Sequence, residues 1–181
     1  MRTVLCIIMI MITPITKAQK YFTKTGLTEF KASVEAFEPV EAKNNSTTVV
    51  FKEDTGELAA LLFVKAFHFE IALMEEHFNE NYMDSDEFPK ATFKGKIEGF
   101  EASNLIEKDK EYILKGILTI KGKPREIETK VKIKRINNSI TLCAEFDVNP
   151  KDFDIKIPGI VKKKIAEKTQ ILIDYELTQK K

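Results

Sequence analysis

The chain has 181 residues, 43% of them apolar, enough for one domain with its own core. Lys and Arg number 29 against 28 Asp and Glu, a net charge of +1. That balance excludes a strongly basic nucleic-acid binder and a charge-driven disordered chain.

The N-terminus reads as an export signal. Arg2 gives a positive start, Val4 to Ile12 is an uncharged apolar run, and Pro14 breaks it. Thr16-Lys17-Ala18 places small residues where a signal peptidase reads, so cleavage is expected after Ala18. The run is too short for a membrane span of about 20 residues. Cys6 precedes most of it, which argues against a lipidated cysteine. The expected organisation is a signal peptide over 1–18 and one domain over 19–181, in the periplasm or secreted. Removing Arg2 and Lys17 leaves 27 cations against 28 anions, and Cys143 becomes the one remaining thiol. An intramolecular disulfide and a cysteine-based metal site are then excluded.

The rest alternates with period two, the pattern of strands. Phe30, Ala32, Val34 and Ala36 alternate with Glu29, Lys31, Ser33 and Glu35. Asn44-Asn45-Ser46 reads as a turn before Val49 and Phe51, and Glu53-Asp54-Thr55-Gly56 as another. Leu58 to Phe69 is almost continuously apolar, predicting a strand covered on both faces for part of its length. From Glu70 to Met83, Ile71, Met74, Phe78 and Tyr82 recur at three- and four-residue spacing, predicting one amphipathic helix. Phe93, Gly95 and Ile97 alternate with lysines. Tyr112 to Ile120, Ile127 to Ile133, Ile140 to Val148 and Ile171 to Leu177 each show one apolar face. Turns at Gly122-Lys123-Pro124 and Asn137-Asn138-Ser139 separate the first three of these runs. Ile160 to Lys168 reads as a second short helix or a turn after Pro158-Gly159, with Lys162 to Lys164 facing water. So many hairpin-linked strands must close or stack to hide their edges, which predicts an all-β barrel or sandwich.

Chemistry-bearing clusters are sparse. His68 and His77 stand near Glu70, Glu75 and Glu76, but their spacing matches no ligand motif, and half-exposed histidines at a strand–helix junction are expected. No Gly-x-Ser-x-Gly elbow or glycine-rich phosphate loop is present. Cys143 alternates with the apolar face of its strand. Lys162 to Lys164 fall short of the four to eight cations of a lipid-binding cluster. The aromatic load between 63 and 93 (Phe63, Phe67, Phe69, Phe78, Tyr82, Phe88, Phe93) is more telling. A barrel of about eight strands has room for one small apolar ligand, in a site with few polar groups.

Three segments carry a family likeness. Asn79 to Phe93, with Phe88-Pro89 followed by Phe93, resembles the Pro-containing signature of the YceI-like family. Leu114 to Arg125, with Gly116-Ile117-Leu118-Thr119-Ile120, is similar to its G-x-L-T-I-x-G hairpin. Asp152-Phe153-Asp154-Ile155 resembles its D-F-G-I stretch, with Asp154 where the pattern has Gly. The resemblance implies a lipocalin-like, extended antiparallel β-barrel, exported to the periplasm, with a polyisoprenoid chain in the barrel of some members.

The expected function is that of a non-enzymatic binding protein carrying or sequestering an isoprenoid or isoprenoid quinone as ligand, with no cofactor. Phe30, Val34, Leu118, Ile133, Phe146 and Ile173 on the inward faces, with Phe78 and Tyr82 from the helix, are the expected ligand-binding residues. The expected partner is that apolar small molecule and no nucleic acid. Transient membrane contact and a homodimer stay open. Two rivals remain: a barrel filled by its own side chains, and a metal-dependent enzyme using His68, Glu70 and His77.

Overall fold

Alternation becomes eight antiparallel strands: β1 Lys20–Ser33, β2 Glu41–Lys52, β3 Glu57–Phe63, β4 Lys90–Ile97, β5 Lys110–Ile120, β6 Lys123–Ile136, β7 Ser139–Val148 and β8 Ile165–Gln179. The computed structural model describes residues 19–34 and 36–180. The expected signal peptide lies outside them. Each strand pairs with the next, and β8 pairs back onto β1, giving a closed barrel. Closure removes the sheet edges that such alternating strands would otherwise expose.

The pairing gives the barrel two unlike ends. One has the short connections 53–56 and 137–138 and the 98–109 loop. The other has the 34–40 loop, the tight turn 121–122, and the long connections 64–89 and 149–164. At the turn, Lys121 and Gly122 both take positive φ, 48° and 69°, as a two-residue hairpin loop demands.

Three local readings are corrected and a fourth is narrowed. Asn44-Asn45-Ser46 is a bulge inside β2, where Asn44 Oδ1 accepts from the Ser46 backbone N–H at 2.8 Å. Asn44 Nδ2 donates to the Phe63 carbonyl at 3.0 Å, so the same side chain that signals a turn is buried in the wall. A matching irregularity in β1 surrounds Gly26, and both strands switch inward phase there, from Tyr21 and Thr23 to Thr28 and Phe30. The apolar run from Leu58 leaves the sheet after Phe63, where Val64 turns inward and its N–H donates to the Pro89 carbonyl at 2.9 Å.

The 70–83 helix is two pieces: α1, Ala72–His77, and a π-helical turn, Phe78–Tyr82, closed by Met83 N–H donating to Phe78 O at 2.9 Å. The wider turn carries both Phe78 and Tyr82 toward the barrel. Of the two alternatives after Pro158-Gly159, short helix or turn, the chain takes the turn. Two successive turns, Val161 N–H to Pro158 O and Lys164 N–H to Val161 O, lead into β8 at Ile165. Ladder bonds to β1 and β7, at Ser33↔Ile165 and Val148↔Thr169, outcompete the weak helical spacing.

The short-loop half of the barrel is filled. Val49, Phe51, Ile97, Val131, Ile133, Ile140, Leu142 and Leu177 are all buried in one cluster there. Arg135 closes that end, donating to the Tyr21 hydroxyl at 3.1 Å and to the carboxylate of buried Glu53.

Candidate functional site: a half-empty barrel

The long-loop half holds a cavity of about 410 Å³, within the ~300–1,000 Å³ usual for small-molecule sites. Leu62, Ala91, Leu118, Ile120, Phe146, Val148 and Ile171 line it from the strands, and Phe153, Ile155 and Ile157 from the 149–164 connection. Its polar contributors are few: Thr28 and Thr169 within the wall, and Glu38, His77 and Lys164 from the connections.

The lining stops at one level, and two aromatic rings laid over glycines explain why. Phe93 lies across the cross-strand pair Gly95–Gly116, where a Cβ on Gly116 would sit 2.7 Å from Phe93 Cζ and 2.5 Å from Gly95 Cα. Tyr175 lies across Gly26, where a Cβ would come within 2.6 Å of Tyr175 Cδ1. Only residues without a side chain let the rings lie down there. The floor carries one polar knot. Thr28 Oγ1 bonds Thr47 Oγ1 at 2.8 Å and the Tyr175 hydroxyl at 2.9 Å. Burial pushes the Tyr175 phenol up to about 12, so it stays a neutral hydrogen-bonding group.

Of the residues expected from sequence, Phe30, Phe78, Tyr82, Leu118 and Phe146 line the cavity. Ile133 and Ile173 point inward but lie in the filled half. Val34 follows the end of β1, is half-buried and is not part of the lining. The helical segment is held over the mouth by aromatic packing: Phe78 packs on Phe30, Phe67 and Phe69, with centroids 5.2–5.8 Å apart. Sequence reading missed the contribution of the 149–164 connection. Phe153, Ile155 and Ile157 at every second position, inside a segment without a strand, were the available signal.

His68 Nδ1 lies 3.7 Å from Glu75 Oε2, which also accepts from the Phe69 N–H at 3.1 Å, while His77 sits at the mouth. Among the described residues no three His, Cys, Asp or Glu side chains converge as a metal ion would require. Cys143 faces outward, donating to Asp174 Oδ1 at 3.3 Å.

The three sequence segments meet in this half of the molecule. Phe93 of the first covers Gly116 of the second, and Phe88 of the first packs 3.1 Å from where a Gly122 Cβ would be. Asp154 of the third takes φ 57°. A family model described as the YceI-like domain matches residues 16–177. The chain belongs to the YceI-like family. A search of curated proteins gave no significant match.

Among solved structures, this YceI-like chain is similar to a polyisoprenoid binding domain from Saccharophagus degradans implicated in plant cell wall breakdown. Identity is 12% over 91% of this chain and 100% of that one, with a TM-score of 0.78. It is similar to Burkholderia cenocepacia BcnA at 18% identity over 84% and 96%, TM-score 0.67. It is also similar to the Campylobacter jejuni YCEI protein at 16% over 80% and 87%, TM-score 0.64. At these identities the likeness is one of fold.

Proposed function

We propose that this YceI-like protein is an exported, non-enzymatic carrier of a long apolar molecule of the isoprenoid or isoprenoid-quinone type. The observation that carries the reading is the half-empty barrel: an apolar chamber of about 410 Å³, closed below by Phe93 and Tyr175 and open toward the long connections. A tail entering it exchanges water for aliphatic and aromatic wall. Each buried CH2 contributes about 0.8 kcal/mol, so ten carbons supply about 8 kcal/mol, of which several offset the loss of freedom on binding. Tight binding therefore needs no catalytic group. The polyisoprenoid-binding domain that shares the fold supports the choice of ligand class. The void weighs against a barrel filled by its own side chains.

Native mass spectrometry of protein isolated from its host tests the ligand. The expected spectrum has an adduct that organic extraction releases as a polyprenyl compound. A bare chain that also fails to take up decylubiquinone in titration overturns the reading. Export is tested by the same mass, which is expected to correspond to a chain beginning at Gln19. An isolated extracytoplasmic protein beginning at Met1 overturns that part.

A further inference from the structure

Carrying a membrane-derived tail requires a place to meet the membrane, and the mouth has an asymmetric rim. On one side, the turns at 158–164 project away from the barrel. Ile160 at their tip is 90% exposed, the most exposed large apolar side chain among the described residues. A Cβ on its neighbour Gly159 would meet nothing within 4 Å. Lys162, Lys163 and Lys164 follow, all exposed and, among the described residues, without an ion-pair partner. The same turns are part of the cavity wall, through Val161 and Lys164. Between β3 and β4, the 64–89 connection is acidic, with seven Asp and Glu against Lys65 alone.

We infer that the 158–164 lip is a membrane-docking element for an anionic bilayer. Ile160 enters the headgroup–acyl boundary and the three lysines meet lipid phosphates, while the acidic 64–89 side is repelled. An apolar tip backed by cations is the chemistry that an anionic interface rewards. A neutral surface leaves the lysines without partners, and a soluble acidic protein gives Ile160 no hydrocarbon to enter. Docked this way, the bilayer lies against the cavity wall, so a tail can pass between them without crossing water. The inference rests on reading the cavity as a tail site.

The test is co-sedimentation of protein isolated from its host with phosphatidylcholine vesicles, with and without phosphatidylglycerol, at low and physiological salt. The wild-type protein is expected on the phosphatidylglycerol vesicles alone, more weakly as salt rises. Ile160→Asp is expected to weaken that partitioning at least about tenfold, and the double K162Q/K163Q variant, which spares the cavity-lining Lys164, by roughly thirtyfold. Both variants should still take up decylubiquinone in vesicle-free solution. Absence of wild-type binding, equal binding to both vesicle types, or unchanged binding by the variants overturns the docking role. Loss of decylubiquinone uptake by the variants does so too, because it makes the lip part of the chamber alone. A change from dimer to monomer on Ile160→Asp, without vesicle binding, assigns the lip to contact between two copies instead. Vesicle binding through the lip, by a protein that carries no adduct and takes up no decylubiquinone, leaves docking standing and removes the carrier reading.

Discussion

Phe78 stacks on Phe30 with ring centroids 5.2 Å apart and planes 25° from parallel, tying the helical segment over the mouth to strand β1. The remaining grip comes from Phe67, edge-on, from Phe69, tilted, and from the Lys121 ammonium, which donates to the Tyr82 carbonyl at 3.1 Å. Phe78→Ala should therefore release residues 72–83 and leave the barrel closed. The expected stability loss is smaller than the ~3–5 kcal/mol of a fully buried Phe→Ala, because Phe78 is half-buried. Limited proteolysis should show new cuts between 72 and 83. A large drop in the urea midpoint with no new cuts would mean that the segment is integral to the barrel.

The boundary between chamber and filled core can be mapped by adding volume on either side of it. Ala144 is 7% exposed and belongs to the filled cluster, so Ala144→Phe should cost at least about 1–3 kcal/mol from overpacking. Ala91 lines the chamber. Ala91→Phe should leave the unfolding midpoint nearly unchanged and reduce uptake of decylubiquinone. Equal destabilisation by both changes would show the upper half to be as full as the lower.

This boundary is also where sequence reading stopped. Alternation tells which face of a strand is inward, and the inward faces of β5, β7 and β8 follow it. It carries no information about height along the barrel. Ile133, Ile173, Leu118 and Phe146 therefore look alike in sequence, although the first two lie below the floor. Floor height is set by Gly26, Gly95 and Gly116, and glycine in a strand reads only as a weakness until the ring above it is known. The bulge at Asn44 failed for a related reason. An Asx bond to the Ser46 N–H closes a hairpin turn and a bulge equally well, and the ladder on either side decides which.

Asp154 stands at the position where the family pattern places Gly, and its φ of 57° is the left-handed conformation that a glycine there adopts without strain. Asp154→Gly should thus raise stability, by at most about 1 kcal/mol, because glycine also loses more freedom on folding. Asp154→Val should lower it more than Asp154→Ala. Thermal unfolding of the three variants checks the order, and a destabilised Asp154→Gly protein would contradict it.

Tyr175 gives a pH dependence with a defined sign. The unfolded phenol titrates near its ordinary value of 10.0 and the buried one near 12. Below pH 10 both states keep the proton and the difference has no effect. Between 10 and 12 the unfolded chain gives up its proton first, so stability falls as pH rises, by on the order of 2–3 kcal/mol in all. Tyr175→Phe should cost about 1 kcal/mol at neutral pH through the lost bond to Thr28. It should remove part of the alkaline decline, so the gap between variant and wild type narrows above pH 10. A constant gap from pH 8 to 11.5 would contradict this.

Cys143 should be slow. Burial first, and the Asp174 carboxylate after it, push its thiol up to about 11, leaving little thiolate at neutral pH. Alkylation of the native protein is expected to lag well behind that of the urea-unfolded chain at pH 8, and Asp174→Asn should speed it. Cys143→Ser should leave decylubiquinone uptake as it was.

The meander has one more consequence, which concerns the order of events in making the protein. Seven of the eight pairings join strands adjacent in the chain and can form as each emerges. The eighth, Leu27 with Asp174 and its neighbours, waits for the last strand. Until then the molecule is a curled sheet with two bare edges, β1 and β7, and no enclosed chamber. Residues 165–179 are in effect the clasp, and a chain cut short before them should pair its loose edges with other chains instead of with itself.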